Sequence, residues 1–209
     1  MNFEKDLRHM RDSYFELERQ FIEISRIIPL DNPSDTYSPR LYDILQTSCG
    51  QVENLLRLIC DKLELESGQN SHFLDYYNLL NKTKILELQV VVYFSGTQAL
   101  TPFQLEGKDP PFWWTAYNKT KHNLPVGYKQ GNLKNTMNAL AGGYALHCMA
   151  TYSLSAGSKI LENNEWMEES SITLNTMSST IEVHWNDEDV RPRSMIFYPL
   201  SYFRPLGGL

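Results

Sequence analysis

One long stretch of this sequence lacks acidic residues. Between Pro110 and Leu161 there is neither Asp nor Glu, although the chain has 25 acidic and 19 basic residues and a formal net charge of -6. That net charge argues against a protein that binds nucleic acid over its whole surface. The acid-free segment, residues 110–161, is nevertheless expected to attract an anion locally. Its lysines are Lys119, Lys121, Lys129, Lys134 and Lys159. An amphipathic core helix that needs few charges has the same composition.

Cysteines and long apolar runs are also scarce. The cysteines, Cys49, Cys60 and Cys148, are odd in number and include no Cys-x-x-Cys spacing, which argues against a disulfide framework and a zinc site. No apolar run approaches the roughly 18 residues of a membrane span. The N-terminal MNFEKDLRHMRD is charged, so we expect no secretory signal, a cytoplasmic location and no membrane partner. No phosphate-cradling glycine loop or paired carboxylates occur, and we expect neither a metal nor a cofactor.

Apolar residues at helical spacing predict a bundle of helices. A stripe from Phe3 to Ile28 alternates spacings of four and three residues, and Pro29 ends it. Ser38 as N-cap, with a proline directly after it, predicts a second helix that ends near Leu65. Three further helices are predicted: a short one capped by Ser71, one that begins at Pro110-Pro111 with Asp109 as cap, and a long one from near Gly131.

Two regions depart from the helical pattern. Leu86–Phe94 is rich in β-branched and aromatic residues and predicts a small β-hairpin near 86–103. Beyond Asn164, the segments ITLN, STIEVHW and SMIFYPL are typical of short strands. We therefore predict a mainly α fold, with a helical bundle over residues 1–164 and residues 165–209 as an accessory β segment of the same domain. We expect the bundle to fold without that segment.

The segment WWTAYNKTKHNL, residues 113–124, holds the densest set of chemically useful side chains. Asn118 and His122 lie four residues apart and share one face of a predicted helix, and Lys121 adjoins that face. Histidine is the natural proton-transfer group near neutral pH. Trp113 and Trp114 are predicted to be core or interface anchors rather than platforms for bases.

Plainer interpretations apply to the same side chains. A histidine near a helix C-terminus, such as His122, suits the helix dipole without any chemistry. Glu53 on the second predicted helix is a candidate partner for Lys121 or His122 across the bundle. His147 lies on the apolar stripe of the last helix, where we predict a core or interface histidine with its hydrogen bonds satisfied. The residues alone leave chemistry and scaffolding both open.

The motif Tyr-Asn-x-x-Lys-His, followed by the helix NLKNTMNALAGGYALH, resembles the HEPN superfamily. Those are small α-helical proteins, many of them ribonucleases in toxin–antitoxin, abortive-infection and RNA-processing systems. Their hallmark is an Arg, a polar residue, three further residues and a His on one helix, usually at a dimer interface. Asn118 and His122 match the polar residue and the His. Tyr117 stands in the place of the Arg, and Leu124 stands where a prokaryotic variant has its Arg.

The resemblance implies a HEPN-like bundle that acts as a metal-independent endoribonuclease of toxin or defence type. Two copies of His122 would face one groove of a homodimer. The implied catalytic residues are His122, Asn118 and Lys121, the lysine supplying charge without the bidentate geometry of an arginine. Tyr117 would donate to phosphate or stack on a base. The other implied substrate-binding residues are Lys119, Lys129 and Lys134.

Two alternative functions remain open. One is a HEPN-like RNA- or nucleotide-binding module that does not cleave, and the other is a structural partner subunit whose acid-free surface meets an acidic protein. An antitoxin or a nucleotidyltransferase is the partner that a defence role implies. We predict a homodimer in which the helix carrying Asn118 and His122 faces its two-fold mate. The single histidine motivates this prediction, together with a face of small residues that lets a helix approach closely: Ala139, Ala141 and Ala145.

Overall fold

The computed structural model describes residues 3–28, 36–66, 68, 70–81, 90–92, 99–103, 109–122, 127–155, 161–162, 165–166 and 196–199. Its helices are α1 Phe3–Ser25, α2 Pro39–Lys62, α3 Phe73–Asn81, α4 Phe112–His122 and α5 Leu133–Ser155. A short 3-10 helix, η1, covers Tyr128–Gln130. The strands are β1 Val90–Val92, β2 Ala99–Leu100, β3 Leu161–Glu162, β4 Glu165–Trp166 and β5 Phe197–Pro199. The predicted mainly α bundle is confirmed.

Two helix starts agree closely with the local sequence. Ser38 caps α2, and its Oγ accepts a hydrogen bond from the backbone N–H of Leu41 at 3.1 Å. The side chain of Asn132 does the same for α5, since its Oδ1 accepts from the N–H of Asn135 at 2.9 Å. Both bonds satisfy donors that the first turn of a helix otherwise leaves unpaired.

The other two predicted caps are wrong. α3 begins one residue after His72, whose backbone N–H donates to Asp75 Oδ2 at 2.8 Å, so the capping contact comes from inside the helix and not from Ser71. α4 begins after Pro111, whose carbonyl accepts from Trp114 and Thr115. The double proline therefore sets the start of α4 without help from Asp109.

The core is organised around α5. It packs most extensively on α2, while α1 crosses both helices and α4 covers another side. Between residues 133 and 150 only Lys134 is exposed, so α5 is buried on all sides, as expected for a central helix. Within the described ranges, no helix combines the length and hydropathy needed to cross a membrane.

The small-residue face of α5 does not lie on the surface. Ala139, Ala141 and Ala145 are buried inside the chain, where they let its own helices approach. The close approach of a neighbouring helix is confirmed, but that neighbour belongs to the same chain, so this face lends no support to the predicted homodimer. The homodimer itself stays a prediction.

A three-stranded antiparallel sheet joins the hairpin to the end of the chain. The order is β2-β1-β5, with Val91 opposite Ala99 on one side and Tyr198 on the other. The hairpin predicted near 86–103 is confirmed by the pairing of β1 with β2. The strand predicted in SMIFYPL is confirmed by β5, whereas ITLN and STIEVHW lie outside the described residues. β3 and β4 form a separate antiparallel pair.

The start of β5 and the residue before it belong to the core. Ile196 and Phe197 are buried, and the ring of Phe197 stacks on Tyr144 of α5 with ring centroids 6.1 Å apart. The backbone N–H of Ile196 donates to the buried carboxylate of Glu18 on α1 at 3.3 Å. This part of the C-terminal segment therefore contributes packing as well as a strand.

Candidate nucleic-acid interface

The tryptophans of WWTAYNKTKHNL fasten α4 to the core. Trp113 is fully buried, and its Nε1 donates to the carbonyl of Pro102 at 2.8 Å. Trp114 stacks on Phe73 of α3, with centroids 3.6 Å apart and ring planes 11° apart. Both rings therefore act as anchors, as predicted, and neither presents a face to solvent.

Tyr117, in the position where the family has its arginine, is also buried. Only 7% of the residue is exposed, and its ring packs against Trp114 with centroids 4.9 Å apart. The ammonium of Lys121 lies 4.1 Å from the centre of the Tyr117 ring and 5.7 Å from that of Trp114. The ring therefore supports Lys121, and the predicted stacking of Tyr117 on a base does not fit this arrangement.

Lys121 is an exposed residue, and its ammonium is held by aromatic contacts. Such cation–π contacts are worth about 0.5–1 kcal/mol at exposed sites, enough to favour one orientation of the side chain. The C-terminal end of a helix carries a partial negative charge, which also favours a cation there. Lys121 is thus a positioned point charge close to the end of α4.

Glu53 has a structural role in the described contacts. Its Oε1 accepts a hydrogen bond from the backbone N–H of Phe73 at 3.0 Å, which satisfies a free donor at the start of α3. Glu53 and Lys121 both act on the buried thiol of Cys49. Burial raises the pKa of that thiol well above its ordinary value, while Lys121 lowers it and Glu53 raises it further. Glu53 therefore lies on the side of α2 that is close to Lys121 of α4, but its hydrogen bond is to α3.

Asn118 and His122 are placed one helical turn apart, as predicted. Asn118 is half-buried, and His122 is the last residue of α4, with its side chain outside the described residues. Thr120 fixes this end of the helix: it accepts a hydrogen bond from Gln46 Nε2 of α2 and donates to the carbonyl of Tyr117 at 2.5 Å. The backbone that carries the two residues is therefore tied to the bundle.

The remaining predicted lysines are exposed, and they lie on three elements. Lys119 is on α4, Lys129 is in η1 and Lys134 is on the first turn of α5. The ammonium of Lys134 lies 5.3 Å from the ring centre of Phe112, which is itself 48% exposed. Phe112 and Lys121 are near opposite ends of α4, which separates them by roughly 13 Å along the helix. The lysines are therefore distributed over these three elements and do not converge on one point.

Sequence reasoning missed an aromatic cluster beside this surface. Tyr37 and Tyr42 each pack against Tyr128, and Tyr37 is 46% exposed. No local pattern indicated the cluster, because residues 37 and 128 meet only through the pairing of the stretch before α2 with the stretch before α5.

His147 is buried as predicted, but its hydrogen bonds are not satisfied. Neither Nδ1 nor Nε2 has a partner among the described residues, and the ring packs 5.3 Å from that of Tyr14. Burial, together with the positive charge of Arg11, lowers the pKa of His147 from 6.5 to about 3. His147 is therefore neutral near pH 7 and unsuited to proton transfer.

No family model, no curated protein and no solved structure matches this chain. The likeness to the HEPN superfamily accordingly rests on the Tyr-Asn-x-x-Lys-His motif and the helical architecture. In the part of the chain that the structure describes, no three His, Cys, Asp or Glu side chains are grouped as ligands for a metal ion.

Proposed function

We propose that this chain binds single-stranded RNA on the surface formed by α4, η1 and the first turn of α5. One observation carries the proposal: the lysines of this surface are exposed, and the described residues include no ion-pair partner for any of them. They are Lys119, Lys121, Lys129 and Lys134. Uncompensated ammonium groups attract phosphodiesters and release the counterions that those phosphates hold.

Exposed aromatic rings beside the lysines favour a single strand. Phe112 lies under Lys134, and Tyr37 packs against Tyr128, which precedes Lys129 in η1. Unpaired bases expose faces that stack on such rings, whereas a duplex hides them. The HEPN resemblance, whose members include many ribonucleases, supports RNA as the ligand.

The binding test measures the affinity of a labelled oligouridine as a function of salt. For single strands the slope of log K against log salt is about -0.7 per phosphate neutralised, so Lys119→Glu and Lys129→Glu should each weaken binding and reduce the slope by roughly that amount. Arg8→Glu is the control, since Arg8 is an exposed cation on α1, outside the acid-free segment. Equal weakening by Arg8→Glu would show only a response to net charge and contradict the proposed surface.

Metal-independent cleavage of the bound RNA is a second candidate. It is favoured by the position of Asn118 one turn before His122, at the helix end where Lys121 is held over Tyr117. His122 would take the 2′-hydroxyl proton, and a second His122 in the predicted homodimer would protonate the departing 5′-oxygen. Lys121 provides charge without a bidentate fork, so we expect weak cleavage. A toxin or defence role in the cytoplasm, with an antitoxin or nucleotidyltransferase partner, belongs to this candidate.

The cleavage test uses a panel of single-stranded RNAs with EDTA present and detects 2′,3′-cyclic phosphate ends. His122→Ala should remove most of a general acid–base contribution of about 10²–10⁴-fold. Equal rates for wild type and His122→Ala would identify a contaminant. Binding without cleavage would leave the non-cleaving module, and absence of binding would leave the structural partner subunit.

A further inference from the structure

Three tyrosines from distant parts of the sequence form one cluster, the tyrosine surface: Tyr37, Tyr42 and Tyr128. The ring of Tyr128 stacks on Tyr42 with centroids 5.4 Å apart and planes 28° apart. Tyr37 meets Tyr128 edge-on, with centroids 6.2 Å apart and planes 85° apart. Tyr42 and Tyr128 are half-buried, whereas Tyr37 is 46% exposed, so the outermost ring is available to solvent on a base of two others.

Backbone contacts hold the tyrosine surface in place. The N–H of Leu133 donates to the carbonyl of Thr36 at 2.9 Å, and the N–H of Ser38 donates to that of Gly131 at 3.4 Å. A Cβ on Gly131 would lie 2.5 Å from the Cα of Tyr42, so the two backbones are in direct contact. The ring of Tyr37 therefore projects from a paired backbone, which reduces the entropy lost when a ligand stacks on it.

The same stretch links the tyrosine surface to the lysines of α4. A Cβ on Gly127 would lie 2.6 Å from the Cα of Thr120 and 2.7 Å from the carbonyl oxygen of Lys119. η1 starts at the next residue and carries both Tyr128 and Lys129. Tyr128 therefore directly follows, in the chain, the glycine whose backbone packs on the end of α4.

Among the described residues, the charges around the tyrosine surface differ between its two sides. Arg40 is paired with Glu23 at 3.0 Å, and Asp43 is exposed next to Tyr42 on α2. Lys129 and Lys119 lie on the side of η1 and α4, within the acid-free segment. Tyr37 packs against Tyr128, the residue directly before Lys129, so a strand whose phosphate lies on Lys129 would pass close to the tyrosine surface.

We infer that Tyr37, supported by Tyr128 and Tyr42, stacks on an unpaired base of single-stranded RNA whose phosphates contact Lys119 and Lys129. This inference rests on the proposed RNA binding. It adds a residue that contacts the face of a base, whereas the lysines contact the charged phosphates. Stacking on an aromatic ring tolerates any base, so the contact selects unpaired nucleotides without selecting a sequence.

The test compares oligouridine with an abasic oligonucleotide of the same length, which has the phosphates and lacks the bases. Wild type should bind oligouridine roughly 5- to 100-fold more tightly than the abasic strand. Tyr37→Leu keeps apolar volume and should lose most of that preference, while Tyr37→Phe keeps the ring and should retain it. Leu74→Ala on α3, an exposed apolar residue outside the surface, is the control and should behave as wild type.

Lys129→Glu separates the two levels of the proposal, because it should weaken binding of both strands by similar factors. If Tyr37→Leu keeps the wild-type preference while Lys129→Glu weakens both strands, RNA binding stands and the stacking role of Tyr37 is overturned. If wild type binds neither strand, the proposed function fails and the inference fails with it. Melting temperatures of both Tyr37 variants confirm that the comparison is made on folded protein.

Discussion

At the scale of the residue, Tyr117 determines how far the family pattern applies to this chain. The position that carries a phosphate-binding arginine in the family is here a buried ring between Trp114 and the ammonium of Lys121. A cation is found instead at position 121, one turn along α4. Compared with the HEPN motif that it resembles, α4 therefore has a lysine but lacks the guanidinium that would hold a phosphate through two parallel hydrogen bonds.

Tyr117→Arg tests the effect of placing the arginine of the HEPN motif at this position. The substitution removes the ring that packs on Trp114 and places a guanidinium in a buried position close to Lys121, so we expect the free energy of unfolding to fall by about 2–4 kcal/mol. Tyr117→Phe keeps the ring and the support for Lys121 and should cost less than about 1.5 kcal/mol. Urea denaturation measures both. A Tyr117→Arg variant as stable as wild type, with faster RNA cleavage, would show that position 117 accepts the arginine of the HEPN motif.

His147 predicts how stability depends on pH. Its pKa is lowered from an ordinary value of 6.5 to about 3, mainly by burial. The unfolded chain therefore takes up this proton first, so the contribution of His147 is complete above about pH 6.5 and decreases by about 1.4 kcal/mol per pH unit as the pH falls toward 3. His147→Leu should remove this dependence and also the two unpaired nitrogen atoms. Urea denaturation of both proteins at about pH 7.5 and about pH 5 measures the difference. Equal losses on acidification would contradict it.

At the scale of the element, the sequence predicts those features that depend on neighbours along the chain. Ser38 lies before a proline and a helical stripe, and its capping bond forms as predicted. Ser71 and Asp109 are residue types that commonly cap helices, but neither caps its helix here. α3 is capped by the contact of His72 with Asp75, and α4 starts at Pro111, because several nearby groups compete for the same helix start. The spacing of Asn118 and His122 was likewise predictable, since a helix fixes it.

Two glycines make a matched pair at this scale. Gly131 lies where a Cβ would come within 2.5 Å of the Cα of Tyr42, so Gly131→Ala forces the start of α5 away from α2 and should cost roughly 1–3 kcal/mol. Gly50 lies inside α2 with nothing within 4 Å of its would-be Cβ, so Gly50→Ala should stabilise by roughly 0.5–1 kcal/mol. Thermal unfolding of the two variants shows whether each substitution raises or lowers the melting temperature. A neutral Gly131→Ala would mean that the two backbones separate readily.

Trp113 tests the attachment of α4. Its ring is fully buried against Phe103 and Phe73, and its indole N–H donates to Pro102. Trp113→Ala should therefore lower the free energy of unfolding by about 3–5 kcal/mol. Thr115→Ala, at an exposed position on the same helix, should change it by less than about 0.5 kcal/mol. Chemical denaturation compares the two, and similar small effects would mean that α4 is held by other contacts.

At the scale of the whole molecule, the sequence loses its predictive power where distant segments meet. The acid-free segment with its lysines is visible in the sequence, but the tyrosine surface is not, because Tyr37 reaches Tyr128 only through pairing between residues far apart in the chain. The small-residue face of α5 shows the same limit. Alanines and glycines predict that another helix approaches closely, but they do not indicate whether that helix belongs to the same chain. Here it does.

The C-terminal strand gives the last prediction. Helical periodicity closes before Asn164 and predicts a bundle that folds without the tail, but Phe197 is buried against Tyr144 and β5 pairs with β1. Phe197→Ala should therefore lower the free energy of unfolding by about 3–5 kcal/mol, and truncation after Asn164 should lower it at least as much. Truncation after Pro199 keeps β5 and serves as the control, with stability close to that of the full chain. Urea denaturation monitored by tryptophan fluorescence measures all three. An unchanged midpoint after truncation at Asn164 would contradict the role of β5 in the core, because removing a buried ring and a paired strand cannot leave the balance of folding unaltered.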